Sequence, residues 1–196
     1  MRYEKGRKDE SRRRIMEVAA GSFRRDGIAA SGLAGIMSEA GLTNGAFYPH
    51  FQSKGDLVRE SLAAAMDDQS AKLKDAFAAG GLEAVRGAYL SAEHRDDPGN
   101  GCVLAALLPE LARQPLETRK HYAQRFQATV RRLASSLPPE TQDREDVAWA
   151  VYATLIGALQ LARAVKGTTL SDRILRAGAN ATRALVQPRR HGRKQA

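Results

Sequence analysis

Between Thr43 and Lys54 the sequence reads Thr-Asn-Gly-Ala-Phe-Tyr-Pro-His-Phe-Gln-Ser-Lys, rich in side chains that form hydrogen bonds and poor in groups that break covalent ones. The hydroxyls of Thr43 and Tyr48 and the imidazole of His50 can donate to phosphate oxygens. Lys54 sets an ammonium just after Ser53, where a helix N-terminus already favours anions. Asn44 offers an amide suited to bidentate pairing with adenine, Gly45 lets a backbone approach closely, and the Ala46 methyl can touch a thymine methyl. Catalytic patterns are missing: no G-x-S-x-G, no H-E-x-x-H and no Gly-rich phosphate loop ahead of a helix occurs. His94-Arg95-Asp96-Asp97 lacks a recognised ligand spacing and sits at a helix end beside a turn, while His121 and His191 are scattered. No catalytic residue, metal ligand or cofactor is assigned, and the chain is not expected to be an enzyme.

Charge points the same way. Lys+Arg 31 against Asp+Glu 22 gives a net charge of +9, a surface that draws in polyanions. The excess divides as +3 over residues 1–60, +2 over 61–186 and +4 over 187–196. The last share belongs to Arg189, Arg190, Arg193 and Lys194, read as a basic, flexible tail over 188–196. At the other end Arg2, Lys5, Arg7 and Lys8 fit either an arm that reaches a polyanion or a solvated terminus. A hydrophobic share of 43% and a charged share of 27% suit a folded chain of 196 residues. Cys102 is the one cysteine, which excludes an internal disulfide and fits a reducing cytosol. Met1 to Arg14 lacks the apolar core of a secretion signal. The longest uncharged run, Val147 to Ala162, has 16 residues and contains Gln160, shorter than a bilayer span and read as a buried helix. A cytoplasmic protein with no membrane partner is expected.

The elements that must position these residues are all helical. Gly27, Gly41, Gly80-Gly81, Pro98-Gly99-Asn100-Gly101, Pro138-Pro139, Gly167 and Pro188 punctuate the chain, and the segments between them repeat with a period of 3.6. The spacing predicts about nine helices: 9–26, 31–40, a very short one from Asn44, 53–79, 82–95, 102–113, 115–137, 144–166 and 171–186. Ile15, Val18, Ala19 and Phe23 form the inner face of the first, and Leu33, Ile36, Met37 and Ala40 that of the second. Ser31, Thr43 and Ser53 are the expected caps of the second, third and fourth helices. Pro49 keeps the third short by disfavouring helix at Tyr48. Phe47 and Phe51 are expected to pack inside.

Two short helices around Gly41-Leu42-Thr43, after a basic first helix, make a helix-turn-helix, whose second helix presents its first residues to a major groove. Gly27-Ile28-Ala29-Ala30-Ser31 and the stretch from Ile36 to Leu57 resemble the N-terminal domain of the TetR/AcrR family of bacterial transcriptional regulators, in register through the Gly-Leu-Thr turn, the Phe-Tyr pair, Phe51 and Ser-Lys. The resemblance covers the first third of the chain. Ala34 and Gly35 stand where many members carry polar or acidic residues, and Asn44 where a basic one is common. The resemblance implies that Thr43, Tyr48 and His50 meet the DNA backbone while Asn44, Gly45 and Ala46 meet the groove floor; Ser31 and Lys54 complete the expected DNA-binding set. It implies an all-α chain with a DNA-binding domain over 1–52 and a ligand-sensing, dimerising domain over 53–187. The expected partners are a double-stranded DNA operator, a small-molecule effector and a second copy of the chain.

For the second domain the residues say less. Tyr89, Cys102, Leu107, Leu111, Phe126, Trp149 and Tyr152 are candidate walls of an apolar ligand pocket, although core packing accounts for each equally well. Trp149, Ala153, Ile156, Gly157, Ala177, Gly178 and Ala181 combine bulk with small residues and are the candidate dimer interface. Cys102 follows a turn at a helix start, where a dipole favours thiolate, so a thiol that senses electrophiles or oxidants stands beside a buried, inert one. A helical carrier that sequesters a small hydrophobic molecule is the other alternative.

Overall fold

The structure is a computed structural model that describes residues 2–187, with side chains from Gly6 onward. The basic residues Arg189, Arg190, Arg193 and Lys194, with His191, lie outside the described residues, as do the side chains of Arg2 and Lys5. Among the described residues every regular element is helical: α1 (Arg2–Asp26), α2 (Leu33–Glu39), α3 (Lys54–Tyr89), α4 (Ala92–Asp96), α5 (Val103–Ala112), α6 (Leu116–Ser135), α7 (Arg144–Ala164) and α8 (Thr169–Val186), plus one 3-10 turn at Asn44–Ala46. The all-α class is as the sequence predicts. Within α3 the backbone leaves helical geometry at Gly80 and Gly81, the latter at φ +62°, so the expected break is present as a kink between two helical segments. The helix expected over 82–95 is itself divided, ending at Tyr89 and resuming as α4.

Residues Met1–Leu73 with Glu93–Phe126 form one compact unit. Its interior gathers Ile15, Ala19 and Phe23 of α1, Met37 and Ala40 at the end of α2, Phe47, Leu57 and Leu62, with Val103 and Leu107 of α5. Each large side chain so buried contributes ~1.5–3 kcal/mol. Val18, expected on the inner face of α1, is only half-buried, whereas Ala20 and Ser22 are buried. Tyr122 is also buried; its hydroxyl donates to the Val58 carbonyl at 3.4 Å, and burial pushes its pKa up to about 12.

Lys74–Ala92 with Gln127–Ala196 form the second unit, in which α7 packs along α8. The two helices touch closely because Gly178 has no side chain: a Cβ there would fall 2.5 Å from that of Ala158. The Ser171 hydroxyl donates to the Ala162 carbonyl at 2.8 Å, tying the start of α8 to the end of α7. Arg86 is buried in the same unit, its Nε 2.8 Å from Thr182 Oγ1, and Glu83 bridges it to Arg183. By length and composition α7 could cross a bilayer, but Ala148, Val151, Leu155, Ile156, Ala158, Leu159 and Ala162 are buried within the protein.

Candidate nucleic-acid interface

The exposed N-terminal surface is held by a chain of backbone devices. α1 stops at Gly27, whose φ of +90° only glycine adopts freely. Beyond it, both faces of the Ile28 peptide are gripped: its N–H donates to a Glu110 carboxylate oxygen at 2.8 Å, and its carbonyl accepts from Lys54 Nζ at 2.6 Å. Ser31 is buried and its hydroxyl donates to the Gly27 carbonyl at 2.7 Å. That bond removes it as the expected cap, and Gly32 takes the N-cap position with no side-chain cap bond. α2 then ends in a Schellman motif. The Gly41 N–H bonds the Ser38 carbonyl, the Leu42 N–H bonds the Met37 carbonyl, both at 2.9 Å, and Gly41 sits at φ +69°.

The expected third helix is a single 3-10 turn at Asn44–Ala46, continued by turns through His50. Thr43 does not cap it through its side chain, because the Ala46 N–H it would bond is taken by the Thr43 main-chain carbonyl at 3.0 Å. The Phe47 N–H closes on the Asn44 carbonyl at 3.2 Å, and the His50 N–H on the Phe47 carbonyl at 2.9 Å, so the segment is a compact rod with tight pitch. Pro49, lacking an N–H, prevents regular α-helical extension. Phe47 and Phe51 are buried as predicted and stack with ring centroids 5.5 Å apart; the Arg12 guanidinium lies 5.0 Å over the Phe51 ring and pairs with Glu60. The Ser53 cap is present: its Oγ accepts the Asp56 N–H at 3.1 Å.

Burying the two phenylalanines turns the rest of the rod outward. Tyr48 is 72% exposed, Thr43, Asn44 and Gly45 are exposed, and Ala46 and His50 are half-buried. Thus six of the eight expected DNA-facing residues share one short accessible segment; Lys54 is half-buried against Ile28 and Ser31 is inside. His50 Nδ1 is buried with no hydrogen-bond partner, and desolvation, with Lys8 and Arg12 nearby, lowers the ring's pKa below 6.5. The neutral ring is therefore favoured. Glu110, which positions the rod through Ile28, was missed from sequence; its signal is being the one charge in the otherwise apolar α5.

The other candidate residues are divided between the two units. In the first unit Cys102, Leu107 and Leu111 are buried and Phe126 is half-buried; in the second Tyr89 and Tyr152 are half-buried and Trp149 is exposed. Among the described residues, the linings of one groove in each unit contain none of these seven. Cys102 is the N-cap of α5, and its N–H donates to His94 Nε2 at 2.9 Å. Of the dimer candidates Trp149, Ala153, Ala177 and Ala181 are exposed and Gly157 is half-buried, but Ile156 and Gly178 are buried, Gly178 against Ala158 of its own chain. Among the described residues no group of three or more His, Cys, Asp or Glu is placed to hold a metal.

A helical fold with an outward-facing turn after a Schellman-capped helix defines a helix-turn-helix protein. Residues 15–61 match the family model described as bacterial regulatory proteins, tetR family. The HTH-type transcriptional regulator TtgR of Pseudomonas putida is 40% identical over 62 residues, 32% of this chain and 30% of that protein. The HTH-type transcriptional repressor KstR2 of Rhodococcus jostii is 33% identical over 73 residues, 37% and 36% of the two chains. These matches span about a third of the relatives' length. Likeness in fold runs further: a TetR-family regulator from Cytophaga hutchinsonii superposes with a TM-score of 0.75 at 20% identity, covering 93% of this chain and 98% of that one. Reduced NemR of E. coli gives 0.74 at 16% identity over 91% and 97%. Over residues 15–61 the chain is thus similar to the tetR family of bacterial regulatory proteins, and beyond them the likeness is one of fold.

Proposed function

We propose that this chain is a ligand-responsive transcriptional regulator, a repressor, that binds a palindromic DNA operator as a homodimer in the cytoplasm and is released by a small-molecule inducer. The observation that carries the reading is the rod from Thr43 to Phe51, in which two buried rings fix the backbone and leave a phenol, a hydroxyl, an amide and an imidazole accessible. Tyr48, Thr43 and His50 donate to phosphates, and Asn44 and Ala46 read base edges. A neutral His50 retains one ring N–H that can be donated. We assign DNA binding to residues 1–52, effector sensing and pairing to 53–187, and no catalytic reaction to either.

Pairing uses α7 and α8. Trp149, Ala153, Gly157 and Leu161 recur every fourth residue of α7, and Leu170, Ala177, Ala181 and Leu185 lie along α8; Leu161 is 61% exposed. An apolar stripe of this kind on a helix pair supports a second copy as its cover. Two rods held by that pairing meet grooves about 34–36 Å apart, or a multiple of it. Effector binding acts through α3, whose first two turns grip Ile28 through Lys54 and Arg12 through Glu60, so a tilt of α3 changes rod spacing and lowers operator affinity. Selection of bound duplexes from a random pool tests the reading. Enrichment of an inverted repeat supports it; no enriched sequence at low salt overturns it.

A further inference from the structure

The second unit contains a groove of about 620 Å³ between the start of α7 and the end of α8, lined by Glu140, Asp143, Asp146, Val147, Leu185 and Gln187 among others. Among the described residues three of its lining residues are carboxylates and none is a cation. Among the described residues none of Glu140, Asp143 or Asp146 has an ion-pair partner, although the chain as a whole carries an excess of nine positive charges. Thr141 Oγ1, also lining the groove, is buried with no hydrogen-bond partner, and a buried polar atom left so asks for one. The floor is apolar, supplied by Val147, Ala150, Leu185 and Val186. An acidic groove with an apolar floor suits a basic peptide whose aliphatic stems lie on the floor and whose charged heads reach the rim.

The chain itself supplies such a peptide. α8 ends at Val186, and Gln187, which lines the groove, has φ −69° and ψ 139°, the extended conformation imposed on a residue before proline. The sequence continues Pro188-Arg189-Arg190-His191-Gly192-Arg193-Lys194-Gln195-Ala196, nine residues with four permanent positive charges and no negative one. Nine extended residues reach about 30 Å from that edge, ample for the first turn of α7 to be touched. We propose that this groove is the docking site of the chain's own basic segment, residues 188–196. Docking then pairs the segment with Glu140, Asp143 and Asp146 and withholds its four charges from other polyanions.

Limited trypsin cleavage of the full chain, followed by intact mass, reads this directly, because the bonds after Arg189, Arg190, Arg193 and Lys194 are trypsin sites. Rates are normalised to a free peptide of sequence 188–196 in the same buffer. Cleavage of a transiently opened segment follows the open population, so Glu140→Gln/Asp143→Asn/Asp146→Asn speeds tail clipping about fivefold at low salt. Salt at 0.5 M or so moves the unsubstituted chain toward the same rate by screening, a measurement that needs no folded variant. Glu145→Gln, in the same turn but outside the groove lining, leaves the rate unchanged. A triple variant clipped at the unsubstituted rate, protection indifferent to salt, or an equal effect of Glu145→Gln overturns the proposal. So does protection that rises with protein concentration, which would place the segment on a second copy.

Discussion

Glu110→Ala isolates the contact that fixes the entry into the helix-turn-helix. The Glu110 carboxylate accepts the Ile28 N–H at 2.8 Å, and the same carboxylate lies 3.0 Å from where a Gly27 Cβ would stand, so the loop and α5 meet through this one group. A hydrogen bond to a charged partner is worth ~1.5–3 kcal/mol. Because Glu110 is half-buried and water can partly replace it, the lower part of that range applies, about 1.5–2 kcal/mol. For a chain near 200 residues each kcal/mol moves Tm by about 2–4 °C, so a fall of about 3–8 °C follows. Glu110→Gln keeps an acceptor oxygen and loses only the charge, and should recover about half of the loss. Thermal melts followed by circular dichroism, with urea titrations alongside, measure both. If Glu110→Ala melts within a degree of the unsubstituted chain, the carboxylate is not a brace and the positioning argument for the rod fails.

Other consequences are equally concrete. Gly41→Ala forces an L side chain to φ +69° and should destabilise by about 1–2 kcal/mol in urea unfolding. Gly178→Ala drives a methyl into Ala158 and should lose about 1–3 kcal/mol, while adding Ala158→Gly restores most of it; additive losses would refute the close approach. His50 is held below its ordinary pKa of 6.5, so the unfolded chain binds its proton first; stability from the neutral ring is complete above pH 6.5 and is lost as pH falls through the lower folded value. His50→Gln should therefore flatten the decline of Tm between neutral and mildly acid pH, and an unchanged decline would place the titrating group elsewhere.

Periodicity made the helices legible, and it did so where one face is fully buried. Ile15, Ala19 and Phe23 recur at helical spacing and are all completely buried, and Gly27 and Gly41 mark stops because the backbone there has positive φ. The rod was harder: from Thr43 to His50 glycine, proline and two neighbouring aromatics leave helix, 3-10 turn and plain turn close in free energy, and the burial of Phe47 and Phe51 decides between them. Local caps misled at Ser31 because its hydroxyl has a competing acceptor, the Gly27 carbonyl four residues back. Residues such as Gly178 and Glu110 are hard to read for another reason. A small residue that admits a helix of the same chain looks identical, in sequence, to one that admits a partner. A carboxylate that binds a backbone N–H 82 positions away leaves no periodic trace.

Whether the rod contacts DNA is tested most directly by the salt dependence of affinity for a selected duplex. Tyr48 is 72% exposed on the rod, and Tyr48→Phe removes only its hydroxyl donor. Binding by the unsubstituted chain should weaken linearly in log–log salt plots, with two copies per inverted repeat. Tyr48→Phe should lower affinity about tenfold to a hundredfold, because each of the two copies loses one hydrogen bond, with the slope nearly kept because no charge is removed. Binding to the selected duplex that is equal in Tyr48→Phe and in Thr43→Ala/Asn44→Ala would contradict it.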